Sequence, residues 1–257
     1  MDTREELRRR GAHVRTRLFG SADAPSGTGA VPGLGPLTDE LIYGEIWSRP
    51  GLAAKDRMVC TLAALGATER LPQLRRYIPA ALELGLSPRG VHEVLLQAGL
   101  YAGFPATENA AGVAADVFRS RGVAVDEELD PPAGAEDLAA RGRAMLQRLH
   151  GARGQQGYAA PGNDVTGALY PLVIAYGYGV LWHRPGLEVR ERALCAVAAF
   201  TALKLVDQLC KFGQSALNVG LDRQAVIEAV IQTAPYSGFS PALNALAALG
   251  PLLGEAR

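Results

Sequence analysis

The feature that most constrains the fold of this 257-residue chain is an internal repeat at a fixed offset of 135 positions. With no gap, Arg57 falls on Arg192, Cys60 on Cys195, Gln73 on Gln208, Gly85 on Gly220, Glu93 on Glu228, Gln97 on Gln232, Tyr101 on Tyr236 and Asn109 on Asn244. Upstream, Tyr43-Gly44, Trp47 and Arg49-Pro50-Gly51-Leu52 fall on Tyr178-Gly179, Trp182 and Arg184-Pro185-Gly186-Leu187. A match running through both tryptophans of the chain marks a tandem duplication of one unit.

Each unit reads as helical. Leu7, Val14, Leu18 and Phe19 among basic residues predict an amphipathic helix over 3–19. The Gly-, Pro- and Ser-rich stretch 20–36 then breaks the periodicity, and Thr38 reads as the N-cap of a helix to about Trp47. Residues 55–68 are apolar nearly all round, as expected of a central helix. A helix over 71–84 is stopped by Gly85, and Ser87-Pro88 supplies the N-cap and first position of the next. Tyr101 to Pro105 interrupts before another helix to about Ser120. The acidic, proline-bearing stretch 122–134 reads as a linker. A helix over 135–150 follows, whose Arg141-Gly142 matches Arg10-Gly11, and then a Gly-rich loop over 151–162. No useful strand alternation appears. The expected architecture is all-α, with one bundle in residues 1–121, the linker, and a second bundle in 135–257.

Bulk chemistry narrows the partners. The 26 basic residues balance the 26 acidic ones, so no charge excess favours nucleic acid. No apolar run is long enough for a membrane span and the N-terminus lacks a signal-peptide core, which predicts a cytoplasmic protein without a membrane partner. Cys60, Cys195 and Cys210 form no CxxC pair, and His13, His92, His150 and His183 are scattered without metal-ligand spacing. No metal site or cofactor is expected.

The run Tyr43-Gly-Glu-Ile-Trp-Ser-Arg-Pro-Gly-Leu52, with Arg57, then Glu93-Val-Leu-Leu-Gln-Ala-Gly-Leu-Tyr-Ala-Gly-Phe-Pro105 and Asn109, resembles the carboxymuconolactone decarboxylase family, here as a tandem member. The resemblance implies bundles of the alkylhydroperoxidase D-like type, a small-molecule substrate, and a homo-oligomer, a trimer of tandem chains first and a dimer second. Peroxidase relatives need a CxxC pair on one helix, which is missing here. Decarboxylase members carry Glu-Leu-x-x-His on that helix; this chain has Gln73-Leu-Arg-Arg-Tyr77 and Gln208-Leu-Cys-Lys-Phe212.

Decarboxylation of an activated acid asks for a place for the carboxylate, stabilisation of the carbanion and a proton donor. Glu45 is a candidate acid if burial raises its pKa, and otherwise a solvated helix residue. Tyr77, with Gln73 one turn earlier, occupies the family's active-site helix, opposite Phe212 of the second unit. Arg57 and Arg192 offer carboxylate clamps, or else structural ion pairs with Glu93 or Glu228. Trp47 lies in the first motif, and His183 beside Trp182 is either a pocket residue or a surface turn residue. Cys60 and Cys195 read as buried hydrophobes, and Cys210 beside Lys211 as a thiol whose pKa that cation could lower. The first unit keeps the more polar set and is the expected place of the active pocket. The expected activity is that of a carboxy-lyase-like enzyme acting on a cyclic carboxylate or lactone. A cyclase or isomerase in natural-product biosynthesis and a non-catalytic scaffold are the rivals.

Overall fold

A computed structural model describes residues 2–20, 31–125, 134–160 and 162–254. All of its regular elements are helices. The first unit comprises α1 (Arg4–Phe19), α2 (Leu34–Thr38, running on as π-helical turns over Asp39–Ile46), α3 (Ala54–Ala67), α4 (Leu71–Glu83), α5 (Pro88–Ala102) and α6 (Phe104–Ser120). The second repeats it as α7 (Ala135–His150), α8 (Tyr170–Leu172, with π-helical turns over Val173–Tyr178), α9 (Val189–Leu203), α10 (Val206–Asn218), α11 (Arg223–Ser237) and α12 (Phe239–Leu253). The all-α tandem expectation holds. Most of the proposed linker, and most of the loop after α1, lies outside the described residues.

Local signals place most boundaries. The Ser87 hydroxyl accepts the Gly90 amide at 2.9 Å, capping α5 as expected. Gly85 adopts φ 88°, the left-handed turn that frees α4 to end. Thr38 is a correction: it closes α2, its hydroxyl donating to the Leu34 carbonyl at 2.8 Å, and the chain continues into the π-helical turns without a cap. Those turns recur at the same repeat position in both units.

The core is built between the units. α3 and α9 are buried along nearly their whole lengths and pack on each other, with α5 and α11 completing the layer. Residues that the repeat pairs in sequence exchange partners in space, the signature of an approximate two-fold relation. The Arg57 guanidinium meets Glu228 at 2.9 Å and Gln232 at 3.1 Å, while Arg192 meets Glu93 at 2.9 Å and Gln97 at 3.1 Å. Arg49 adds a second cation to Glu228, as Arg184 does to Glu93. At the helix starts, Lys55 pairs with Glu191 and Arg190 with Asp56. Both arginines of the inner pairs are 1 % exposed or less, so these charges survive burial only because every one meets an opposite partner. Burial alone would raise the Glu228 carboxyl, but hydrogen bonds from Arg49 and Arg57 more than offset it and hold its pKa below the ordinary value.

Candidate active site at the junction of the two units

In each unit the first helix crosses the π-helical turns at glycines. A Cβ on Gly142 would lie 2.0 Å from the Ile174 carbonyl oxygen, and one on Gly179 would lie 2.2 Å from that of Leu138. Only glycine permits this approach. It fixes the end of α7 against Tyr178, and the last residue of α7 is His150.

His150 Nε2 lies 2.9 Å from the Tyr178 hydroxyl, and Nδ1 lies 2.8 Å from the hydroxyl of the fully buried Ser215 on α10. A helix C-terminus ordinarily favours an imidazolium by about 0.3–1 kcal/mol. Here burial, then the nearby charges of Arg153 and Lys211, pull the other way and bring the His150 pKa down to about 4. The ring is therefore neutral at neutral pH and carries one N–H. Ser215, with its single proton, decides which nitrogen holds it. When Ser215 donates to the Lys211 carbonyl, 3.0 Å away, Nδ1 donates to Ser215 and Nε2 accepts from Tyr178. When Ser215 donates to Nδ1, Nε2–H supports the Tyr178 oxygen and the tyrosine proton is free to point elsewhere. Burial pushes the Tyr178 phenol well up, so it keeps that proton.

With Ser215 supporting His150 from behind, His150 and Tyr178 border a cavity of about 490 Å³. Trp182, Phe200 and Phe212 line its floor; α5 of the first unit closes it with Leu100 and Tyr101. The site is thus incomplete without the other unit. Arg153 and Lys211 line it as well, and among the described residues no carboxylate side chain does. Arg153 donates to the Lys211 carbonyl at 3.1 Å, and the Lys211 ammonium sits 4.5 Å from the centre of the Tyr158 ring.

The equivalent place in the first unit is filled. Phe19 stands where His150 stands, edge-on to Tyr77 at 5.0 Å, and Ile42 takes the position of the cavity-lining Gly177. The Tyr77 hydroxyl bonds those of Tyr43 at 3.2 Å and Tyr236 at 2.9 Å, and Trp47 Nε1 donates to Tyr236 at 2.8 Å. Tyr77 is 3 % exposed and its phenol is pushed far up, by burial first and by the neighbouring tyrosines next. Buried rings with matched hydroxyls make a packed core.

This arrangement changes the reading of the sequence candidates. Glu45 is exposed, the solvated alternative. Tyr77 and Trp47 belong to the filled cluster, and Gln73 is exposed whereas its counterpart Gln208 lines the cavity. Arg57 and Arg192 are occupied in the buried cross-unit pairs, the structural alternative. His183 is exposed; its Nδ1–H donates to the Tyr178 carbonyl at 2.9 Å, as the Ser48 hydroxyl does to that of Tyr43, so both close the same turn. Phe212 does line the cavity. Cys60 and Cys195 are fully buried, as expected. The Cys210 thiol is pushed up by burial and by Asp207, the reverse of the lowering expected from Lys211. The cavity borders the second unit, whereas the sequence pattern points to the first; the first unit's polar groups satisfy one another in internal hydrogen bonds. His150 and Ser215 escaped the sequence reading. The match of Arg10-Gly11 with Arg141-Gly142 held the clue, since extending its 131-position offset sets Phe19 against His150.

Two equivalent bundles that share a buried charge layer and close a cationic aromatic cavity between them define a tandem helical-bundle protein whose site is composite. The chain belongs to the carboxymuconolactone decarboxylase family, whose model matches residues 32–116 and 167–250. Over 85 residues it is 38 % identical to the 4-carboxymuconolactone decarboxylase of Acinetobacter baylyi, a match covering 33 % of this chain and 63 % of that enzyme. Over 111 residues it is 31 % identical to the nitrosuccinic acid decarboxylase of Metarhizium robertsii, covering 40 % of this chain and 78 % of that one. The match thus spans less than two thirds of the Acinetobacter enzyme. A structure described as a gamma-carboxymuconolactone decarboxylase subunit of Burkholderia xenovorans superposes with a TM-score of 0.57 at 20 % identity, covering 95 % of this chain and 97 % of that one, which establishes the shared fold. Among the described residues, no helix is long and apolar enough to cross a membrane.

Proposed function

We propose that this protein is a cofactor-independent, carboxy-lyase-type enzyme that acts on a cyclic carboxylate or lactone, by decarboxylation or proton transfer, in the cavity of its second unit. The observation that carries this reading is a neutral histidine held between two hydroxyls on the wall of a cavity lined by two cations and, among the described residues, no acid. Decarboxylase relatives support the reaction class.

In decarboxylation the C–CO2 bond breaks heterolytically, CO2 leaves, and the electron pair moves into a conjugated carbonyl of the substrate itself. Negative charge is present throughout, first on the carboxylate and then on the enolate, and Arg153 and Lys211 favour both. Tyr178 then gives its proton to carbon, the phenolate oxygen being supported by His150 Nε2–H until solvent returns the proton. With the opposite tautomer, Nε2 can draw the Tyr178 proton as that oxygen removes one from the substrate, so the same trio serves proton abstraction.

The test is release of CO2 from 4-carboxymuconolactone, nitrosuccinate and a panel of cyclic β-keto acids by the full chain. On whichever compound turns over, His150→Ala and Tyr178→Phe should each lower kcat by about 10²–10⁴-fold, the usual scale of positioned proton transfer. Rates within a factor of three of the unaltered chain in both variants would remove this site assignment.

A further inference from the structure

Resting on that reading, we infer that the cavity takes a flat, multi-ring aromatic carboxylate, with its rings on the aromatic floor and its carboxylate between Arg153 and Lys211. The floor has a defined geometry. Tyr178 and Trp182 lie within 23° of parallel at 6.5 Å, Trp182 and Phe212 within 29° at 6.1 Å, and Tyr101 leans on Phe200 at 4.3 Å. Such centroid separations are those of offset stacks and edge contacts, which reward a planar π-system more than a flexible alkyl chain. A volume near 490 Å³ lies within the range that encloses ligands of several rings.

Two cations share the lining with these rings. Arg153 is half-buried on the 3₁₀ turn after α7, held by the Lys211 carbonyl, and Lys211 is exposed with its ammonium over Tyr158. Among the described residues no acid lines the cavity, so an entering anion meets two cations while its hydrophobic body displaces water inside. His150 and Tyr178 line the same cavity as the two cations, so a carboxylate held there shares the space with them.

The first unit shows how this selectivity is lost. Ile42 takes the place of Gly177 and Phe19 that of His150, and the space is gone. A Cβ on Gly177 would meet Val173 Cγ1 at 3.5 Å and Leu100 at 3.7 Å, ordinary contacts, so a side chain can start there, and Gly177→Ile extends it into the cavity that Gly177 lines.

Calorimetric titration of the full chain with 2-naphthoate, its neutral analogue 2-naphthamide, and decanoate tests the inference. The expected result is one 2-naphthoate per chain, with at least tenfold weaker binding of the amide and of decanoate. Lys211→Gln should cost about tenfold for 2-naphthoate and nothing for the amide, and Gly177→Ile should abolish binding with an unchanged circular dichroism spectrum. Equal affinity for acid and amide, tighter binding of decanoate, or binding that survives Gly177→Ile would overturn it. Because binding is read without turnover, a naphthoate that binds yet leaves His150→Ala as active as the unaltered chain on a true substrate would sink the proposed function alone.

Discussion

Phe19 and His150 occupy the same place in the two halves of the molecule, each edge-on at 5.0 Å to the ring at the equivalent position of α4 or α10, Tyr77 in one case and Phe212 in the other. One half thereby becomes a sealed core and the other a cavity with an ionisable wall. Replacing His150 by phenylalanine should carry the first arrangement into the second. The variant is expected to fold normally, lose at least 100-fold in turnover and bind 2-naphthoate more weakly; steady-state kinetics and titration check both.

The depressed pKa of His150 has a consequence for acid stability. The unfolded chain takes up this proton near the ordinary value of 6.5, the folded one only near 4. Between those values the unfolded state binds more protons, so stability is fully present above pH 6.5 and falls as the pH drops toward 4. At ~1.36 kcal/mol per pKa unit the loss amounts to about 3 kcal/mol. His150→Phe should flatten the fall of Tm between pH 7 and pH 4.5; an unaltered slope would mean that His150 is not held neutral.

Arg57 reaches across to Glu228, with Arg192 making the reciprocal pair to Glu93. Removing either arginine leaves a carboxylate that is at most 1 % exposed with only its outer cation, Arg49 or Arg184, so Arg57→Ala and Arg192→Ala should each cost about 3 kcal/mol by chemical denaturation. A double-mutant cycle should give coupling of about 1–3 kcal/mol for Arg57 with Glu228, and under ~0.5 kcal/mol for Arg57 with Glu93. The reverse ranking would mean that the two units pair within themselves.

Tyr77→Phe removes the hydroxyl that joins Tyr43 to Tyr236. Tyr236 keeps Trp47 as a donor, while Tyr43 loses the hydrogen bond to Tyr77, so a stability loss of about 1–3 kcal/mol is expected. Turnover should stay within a factor of two. A drop of 100-fold without unfolding would return Tyr77 to the catalytic role that its position in the sequence suggested.

The amino-acid sequence by itself determined the duplication, the helical class, the apolar central helices and the glycine and serine punctuation, because these follow from offset, periodicity and local caps. It also marked Arg57, Glu93, Gln97 and their repeats as one set. Only the tertiary structure decided who pairs with whom. Two copies of the same residues satisfy the same charges within a unit or across units, and the choice falls to how α3 and α9 pack. The open site was hidden for a related reason. A cavity is a difference in volume, summed over Phe19 against His150, Ile42 against Gly177 and Tyr77 against Phe212, and it appears only once the glycine crossing of α7 carries His150 to Tyr178. Polarity along the chain favoured the first unit, yet its tyrosines satisfy one another, while the second unit's fewer polar groups line a cavity.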